Sequence, residues 1–313
     1  MRYQSVAPGD WGTAQGSETV NVSTEMLTMA DKSKIFLRSW QTDSNDVLLI
    51  LHGLGGHGGW YIDMGNELAK RGLNIYTVDH RGFGRSEGLA GHIDSYHLYV
   101  EDTVSVIAEI RKLHPQGRIY LLGHSMGGIF TAHIAAKHSS LLAGVLFLNP
   151  WIADSSRLPA VTTLRILFGG MFKSRRVWQV SGGPEGMTTN PEAVQMLQED
   201  TFWNRTQTAS FLIQILQMRQ AVMRLAKDIT LPVLVMQAEE DKSVLATATC
   251  KFYDAVASSN KTWKSYPGYC HDSEFEDDRS LMDDDIVNWI HARTEEQTSI
   301  GAEAPIGGIN DNA

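Results

Sequence analysis

The chain has 313 residues, 42% of them hydrophobic, with 27 Lys+Arg against 36 Asp+Glu and a formal net charge of −9. That length carries one large domain with a sizeable core, and the acidic balance excludes a nucleic-acid backbone as partner, since no basic excess exists to release counterions. Two cysteines, Cys250 and Cys270, form neither a CxxC pair nor a zinc-finger spacing, so no disulfide framework or metal site is expected.

Residues 1–20 are polar and glycine-containing, the composition of a flexible arm. They lack the apolar run of a signal peptide, and no stretch reaches the roughly 18 apolar residues of a membrane span. A cytoplasmic location is therefore expected. "STEMLTMADKSKIFLRSW" alternates like two antiparallel strands. "VLLIL" then reads as a buried strand, "YIDMGNELAKRG" as a helix stopped by Gly72, and "NIYTVDH" as a strand. The helix "LYVEDTVSVIAEIRKLH", the strand "RIYLLG", the helix "IFTAHIAAKH" and the strand "GVLFLNP" follow. This rhythm calls for a mostly parallel sheet flanked by helices.

After Pro150 the rhythm breaks. Helical patterns without a clear strand fill 151–230, among them "TTLRILFGGMF" and "FLIQILQMRQAVMRL". The sheet pattern resumes with "LPVLVMQ", a helix near "ATATCKFYDAVA", the strand "TWKSYP" and the helix "DDDIVNWIHAR". A core of 21–150 and 231–294 thus carries a helical lid at 151–230, and 295–313 reads as a disordered tail.

Gly123-His124-Ser125-Met126-Gly127 matches G-x-S-x-G between a strand and a helix. Glycine allows a turn tight enough to expose Ser125 as a nucleophile at a helix N-terminus, where developing negative charge is favoured. An idle serine in a glycine turn is the competing reading, made weak by the context. The hydroxyl needs a base. Of 11 histidines, His271 in "SYPGYCHDSEFE" lies in a loop after the last strand, within reach of the sheet's carboxyl edge. The base needs a carboxylate to fix its tautomer. "LVMQAEEDKSV" offers Glu239, Glu240 and Asp241; Asp241 is the choice and Glu240 a distant second. The order nucleophile, acid, histidine suits this architecture. The oxyanion needs backbone donors, assigned to the Met126 and Leu54 amides. Leu54 belongs to "LHGLGGH", where His52 and Gly53 follow the strand at 47–51.

These residues together resemble the α/β-hydrolase superfamily, and within it the monoacylglycerol lipase and lysophospholipase-like group. The resemblance spans roughly 26–293 and rests on "LHGLGGH", "VDHRGFGRSEG", "LLGHSMGG", "PVLVMQAEEDKSV" and "YPGYCHDSEFE". Glu276 falls where relatives often carry a glutamate after the histidine. Relatives usually have glycine before the acid loop, where this chain has Ala238. The resemblance implies cofactor-free hydrolysis of a carboxylic ester, with a monoacylglycerol or similar single-chain lipid as substrate and transient contact of the lid with a membrane surface. Apolar lid residues at 164–172 and 211–223 would form the acyl pocket. Two other readings compete. An iminopeptidase-like amidase would need lid carboxylates, for which Glu185, Glu192, Glu199 and Asp200 are available. A ligand-binding protein of the same fold would need no complete triad. Dehalogenase chemistry is disfavoured because Ser125 stands where a carboxylate would be needed.

Overall fold

The computed structural model describes residues 22–155, 175–179 and 183–302. The two early strands are β1 (Val22–Thr28) and β2 (Lys34–Trp40), paired antiparallel. Then come β3 (Asp46–Leu51), α1 (Ile62–Lys70), β4 (Asn74–Val78), α2 (His97–Leu113), β5 (Arg118–His124), α3 (Met126–Lys137) and β6 (Gly144–Leu148). After the lid, β9 (Val233–Ala238), α6 (Ala246–Ala255), β10 (Lys261–Tyr266) and α7 (Ser280–Ala302) complete the core. The sheet order is β1-β2-β4-β3-β5-β6-β9-β10, parallel from β4 to β10. This is the expected mostly parallel sheet flanked by helices.

The central strands read as continuous apolar runs because both faces are covered. Their alternation divides the core in two. Val47, Leu49 and Leu51 of β3 enter one cluster with Ile119, Leu121 and α3; Leu48 and Ile50 enter another with Tyr120, Leu122 and α1. The pleat sends successive side chains to opposite faces, so each strand feeds both clusters.

The lid differs from its sequence reading in one respect. It contains two short strands, β7 (Val177–Gln179) and β8 (Thr206–Thr208), paired antiparallel. Three residues each is too short for an alternation to be visible. The lid helices are α4 (Pro191–Glu199) and α5 (Ala209–Leu225), capped by the side chains of Asn190 and Thr208. On α5, Phe211, Leu212, Ile215, Met218 and Val222 are buried in the core cluster that holds α3, and the Met218 carbonyl lies 2.8 Å from His133 Nε2. That face serves packing, leaving Leu216 half-buried and Met223 exposed. The expected helix at "TTLRILFGGMF", with the apolar group at 164–172, falls outside the described residues. The last helix runs to Ala302, past the expected boundary at 294.

Candidate active site

The site is assembled from loops at the carboxyl ends of β3, β5, β6, β9 and β10, where a parallel sheet presents its binding crevice. Ser125 leaves β5 with φ 51 and ψ −112, a conformation a non-glycine residue adopts only under constraint. The constraint is close packing. A Cβ on Gly123 would meet the Gly127 carbonyl oxygen at 2.3 Å, and one on Gly127 would meet the Leu51 carbonyl oxygen at 2.2 Å. The glycines let β5, the first turn of α3 and the end of β3 touch through their backbones.

His271 Nε2 lies 2.9 Å from Ser125 Oγ, and His271 Nδ1 lies 2.7 Å from Asp241 Oδ2. All three side chains are enclosed, with Ser125 and His271 each 6% exposed. Asp241 Oδ1 accepts from the Ser243 and Val244 amides at 2.7 and 3.0 Å, which orients the carboxylate. Burial works against charge on both partners, but each compensates the other. Asp241 titrates below the ordinary carboxylate range despite desolvation, and His271 titrates above 6.5 because the Asp241 carboxylate and its hydrogen bond outweigh burial. Glu239 and Glu240, the other acids of that loop, are exposed.

Leu54 lies on the loop after β3. The amide of His80 donates to His52 Nε2 at 2.9 Å, so the ring proton is on Nδ1, which donates to the Gly53 carbonyl at 2.7 Å. Burial keeps that imidazole neutral, its pKa lowered to about 4. A trans peptide unit carries its carbonyl and its N–H on opposite sides, so the Leu54 N–H points away from His52. Met126 opens α3, and its N–H belongs to the first turn, which has no intrahelical acceptor.

Three supports escape sequence reasoning. Asn149, at the end of β6 with φ 43, donates through Nδ2 to the His271 carbonyl at 2.7 Å and accepts from the Ala238 amide at 2.7 Å. It ties the His271 loop to the strand that leads to Asp241. His124 Nε2 lies 3.0 Å from the same His271 carbonyl, and its Nδ1 lies 2.9 Å from Tyr61 Oη. Beneath them Asp272 and Glu274 are 2% and 1% exposed, and burial pushes both carboxyls up. An Asn-Pro pair closing a strand is the only local signal of Asn149, and it marks a turn rather than a role.

His124, His271 and Asp272 offer atoms within 4.8 Å of one another, a cluster of metal-ligand residue types. Both His271 nitrogens are engaged by Ser125 and Asp241, and both His124 nitrogens by Tyr61 and the His271 carbonyl. The cluster is knit by hydrogen bonds that metal ligation would have to break.

The four lid carboxylates available to the amidase reading divide into three exposed and one buried. Glu185, Glu192 and Glu199 are exposed. Asp200 is buried and fully used: Oδ2 accepts from Trp60 Nε1 at 2.8 Å and meets His57 Nε2 at 3.0 Å, while Oδ1 accepts from the Phe202 amide at 2.8 Å.

A sheet in this order, with a serine on a glycine turn after β5 and a lid after β6, defines an α/β-hydrolase. The chain belongs to the Hydrolase_4 family, described as serine aminopeptidase S33, which matches residues 42–278. It is similar to the monoglyceride lipase of Homo sapiens, 27% identical over 276 residues that cover 86% of this chain and 90% of that one. The monoacylglycerol lipase of Mycolicibacterium smegmatis is 26% identical over 251 residues, 80% of this chain and 89% of that one. Among solved structures, the Paleococcus ferrophilus monoacylglycerol lipase superposes with a TM-score of 0.76 at 22% identity, over 83% of this chain and 99% of that one. Among the described residues, no helix is long and apolar enough to cross a membrane.

Proposed function

We propose that the chain hydrolyses the ester of a monoacylglycerol or a similar single-chain acyl ester through an acyl-enzyme on Ser125. That relatives named as monoglyceride lipases match over most of the chain supports ester hydrolysis by this α/β-hydrolase. The observation that carries the mechanism is the hydrogen-bonded line Ser125–His271–Asp241, at 2.9 and 2.7 Å.

Ser125 Oγ attacks the acyl carbon as His271 Nε2 takes its proton. The carbonyl electrons move to oxygen, and the oxyanion is held by the Leu54 and Met126 amides. Asp241 holds the proton on Nδ1 and stabilises the imidazolium. Collapse expels glycerol, which leaves with the proton from Nε2. Water, deprotonated by the same nitrogen, then attacks the acyl-enzyme; the fatty acid departs and Ser125 recovers its proton. No step needs a cofactor.

The family description names an aminopeptidase, so the amidase reading is the natural rival. The lid carboxylates favour the ester. Three are exposed, and the buried fourth is committed to His57, Trp60 and Phe202, so it is not left unpaired to hold a substrate ammonium. The test is a panel of nitrophenyl esters of increasing acyl length, monoacylglycerols, triacylglycerols and aminoacyl arylamides. Each buried methylene contributes about 0.8 kcal/mol, so two more carbons raise kcat/KM by about tenfold until the pocket is full. Monoacylglycerols should exceed both triacylglycerols and arylamides. Preference for acetyl esters would end the lipid reading, and preference for arylamides would end the ester reading.

A further inference from the structure

Lid residues 187–204 are fastened at both ends, and the fastenings fall on the two loops that carry the base and the oxyanion donor. At the first end, the Met187 carbonyl accepts from the Asp272 amide at 2.8 Å. The Thr189 amide and hydroxyl both donate to Glu276, the amide at 3.0 Å to Oε2, and Asn190 Nδ2 donates to the Phe275 carbonyl at 3.0 Å. Glu276, 5% exposed, also accepts from the Cys270 amide at 2.9 Å. One carboxylate therefore joins the lid to the residue preceding His271. At the second end, Asp200 holds His57 and Trp60, and the Asn204 amide donates to the Gly55 carbonyl at 2.9 Å. Gly55 follows Leu54.

Between the ends runs α4, nine residues and about 13 Å long. Its Ala193 and Leu197 are buried in the same cluster as Trp60, Trp203 and Phe275. A capped helix packed along its length and tied at both ends passes displacement of one end to the other. Loops are ordinarily the mobile part of a scaffold, yet a displacement of about 1 Å at reacting groups can cost about 100-fold in rate.

We propose that the segment 187–204 is a brace that fixes the separation of the base loop from the oxyanion loop, with Glu276 and Asp200 as positioning residues at its two ends. The proposal rests on the serine-ester reading above. It makes this part of the lid a component of the catalytic frame and not a flap that lifts for substrate.

The test is a double-mutant cycle of Glu276→Gln and Asp200→Asn, read as the acylation burst with a nitrophenyl ester and normalised to sites titrated by a phosphonate. Glu276→Gln turns an amide donor toward backbone donors, and Asp200→Asn does the same toward His57 and Trp60. Each single change should lower the acylation rate by about 10- to 100-fold per titrated site, with KM moving less than about threefold. Changes at sites more than about 10 Å apart normally add. Here the double variant should be no slower than the slower single, because a brace cut at one end no longer holds at the other. Rates near wild type in the singles, or a double-variant loss equal to the product of the two, would overturn the brace. Should Glu276→Gln fail to fold, Thr189→Val, which removes only the hydroxyl from the lid side, takes its place in the cycle. Ser125→Ala is measured alongside. If it turns over normally, the serine-ester reading fails; if it is inactive while the cycle is multiplicative, only the brace fails.

Discussion

His271 faces Ser125 on one nitrogen and Asp241 on the other, so on the proposed mechanism the three side chains act as a unit and their removal should not be additive. Ser125→Ala and His271→Ala should each lower turnover by several orders of magnitude, and the double variant should cost little more. Asp241→Asn should be severe, by leaving the wrong tautomer, while Glu240→Gln, on an exposed side chain, should be near wild type. The opposite pattern would reassign the acid. As the proposed base, His271 works only when neutral, and the Asp241 carboxylate raises its pKa from the ordinary imidazole value. Acylation should therefore fall as pH drops through a value above about 6.5, whereas a flat rate from about pH 5 to 9 on folded enzyme would exclude a histidine base. The candidate residues are legible because each stands beside a local break in pattern: glycines flanking Ser125, an acidic loop ending a buried strand, a histidine after the last strand. Asn149 is not legible. Its role exists because β6 and β9 are neighbours, although the whole lid lies between them in the chain.

At the scale of elements, the turn between β5 and α3 owes its shape to what it lacks. Gly127→Ala would place a Cβ 2.2 Å from the Leu51 carbonyl oxygen, backbone that cannot move without shifting β3. We expect a loss of about 3 kcal/mol or more, visible in denaturant unfolding together with loss of activity. Wild-type stability would show that the turn can open. Strands and helices of the core are legible because their periods are long and both faces of the sheet are filled. The lid is less so. Its strands β7 and β8 have three residues each, and α5 spends its apolar face on the core beside α3, a destination that its periodicity alone does not name.

For the whole molecule, pH should act through carboxyls buried on the loop that carries His271. Asp272 is pushed up to about 7 and Glu274 higher than the usual carboxylate range, chiefly by burial, among Tyr61, His124, His271 and Arg279. In the unfolded chain such groups titrate at about 4. A raised folded pKa means that their contribution to stability is complete below about pH 4 and is lost as pH rises through the folded values. His271, also raised, works in the same direction. Thermal stability should therefore decline as pH rises above about 4, through the value of about 7 for Asp272, and Glu274→Gln, which keeps the neutral shape, should flatten that decline. An unchanged slope would mean that Glu274 is not held neutral. Activity and stability then respond oppositely to alkali, because the proton whose loss frees the base is one that the fold prefers to keep.

The separation of Ser125 from His271 along the chain, 146 residues, also has a meaning in time. A ribosome adds about 5–20 residues per second, so Ser125 emerges roughly 7–30 s before His271. For most of that interval the sheet lacks β9 and β10 beyond β6, and until its end Asn149 lacks the His271 carbonyl to hold. On the proposed mechanism, a nascent chain that bears the whole Ser125 turn is thus still inert. Competence arrives only when the carboxyl-terminal strands dock.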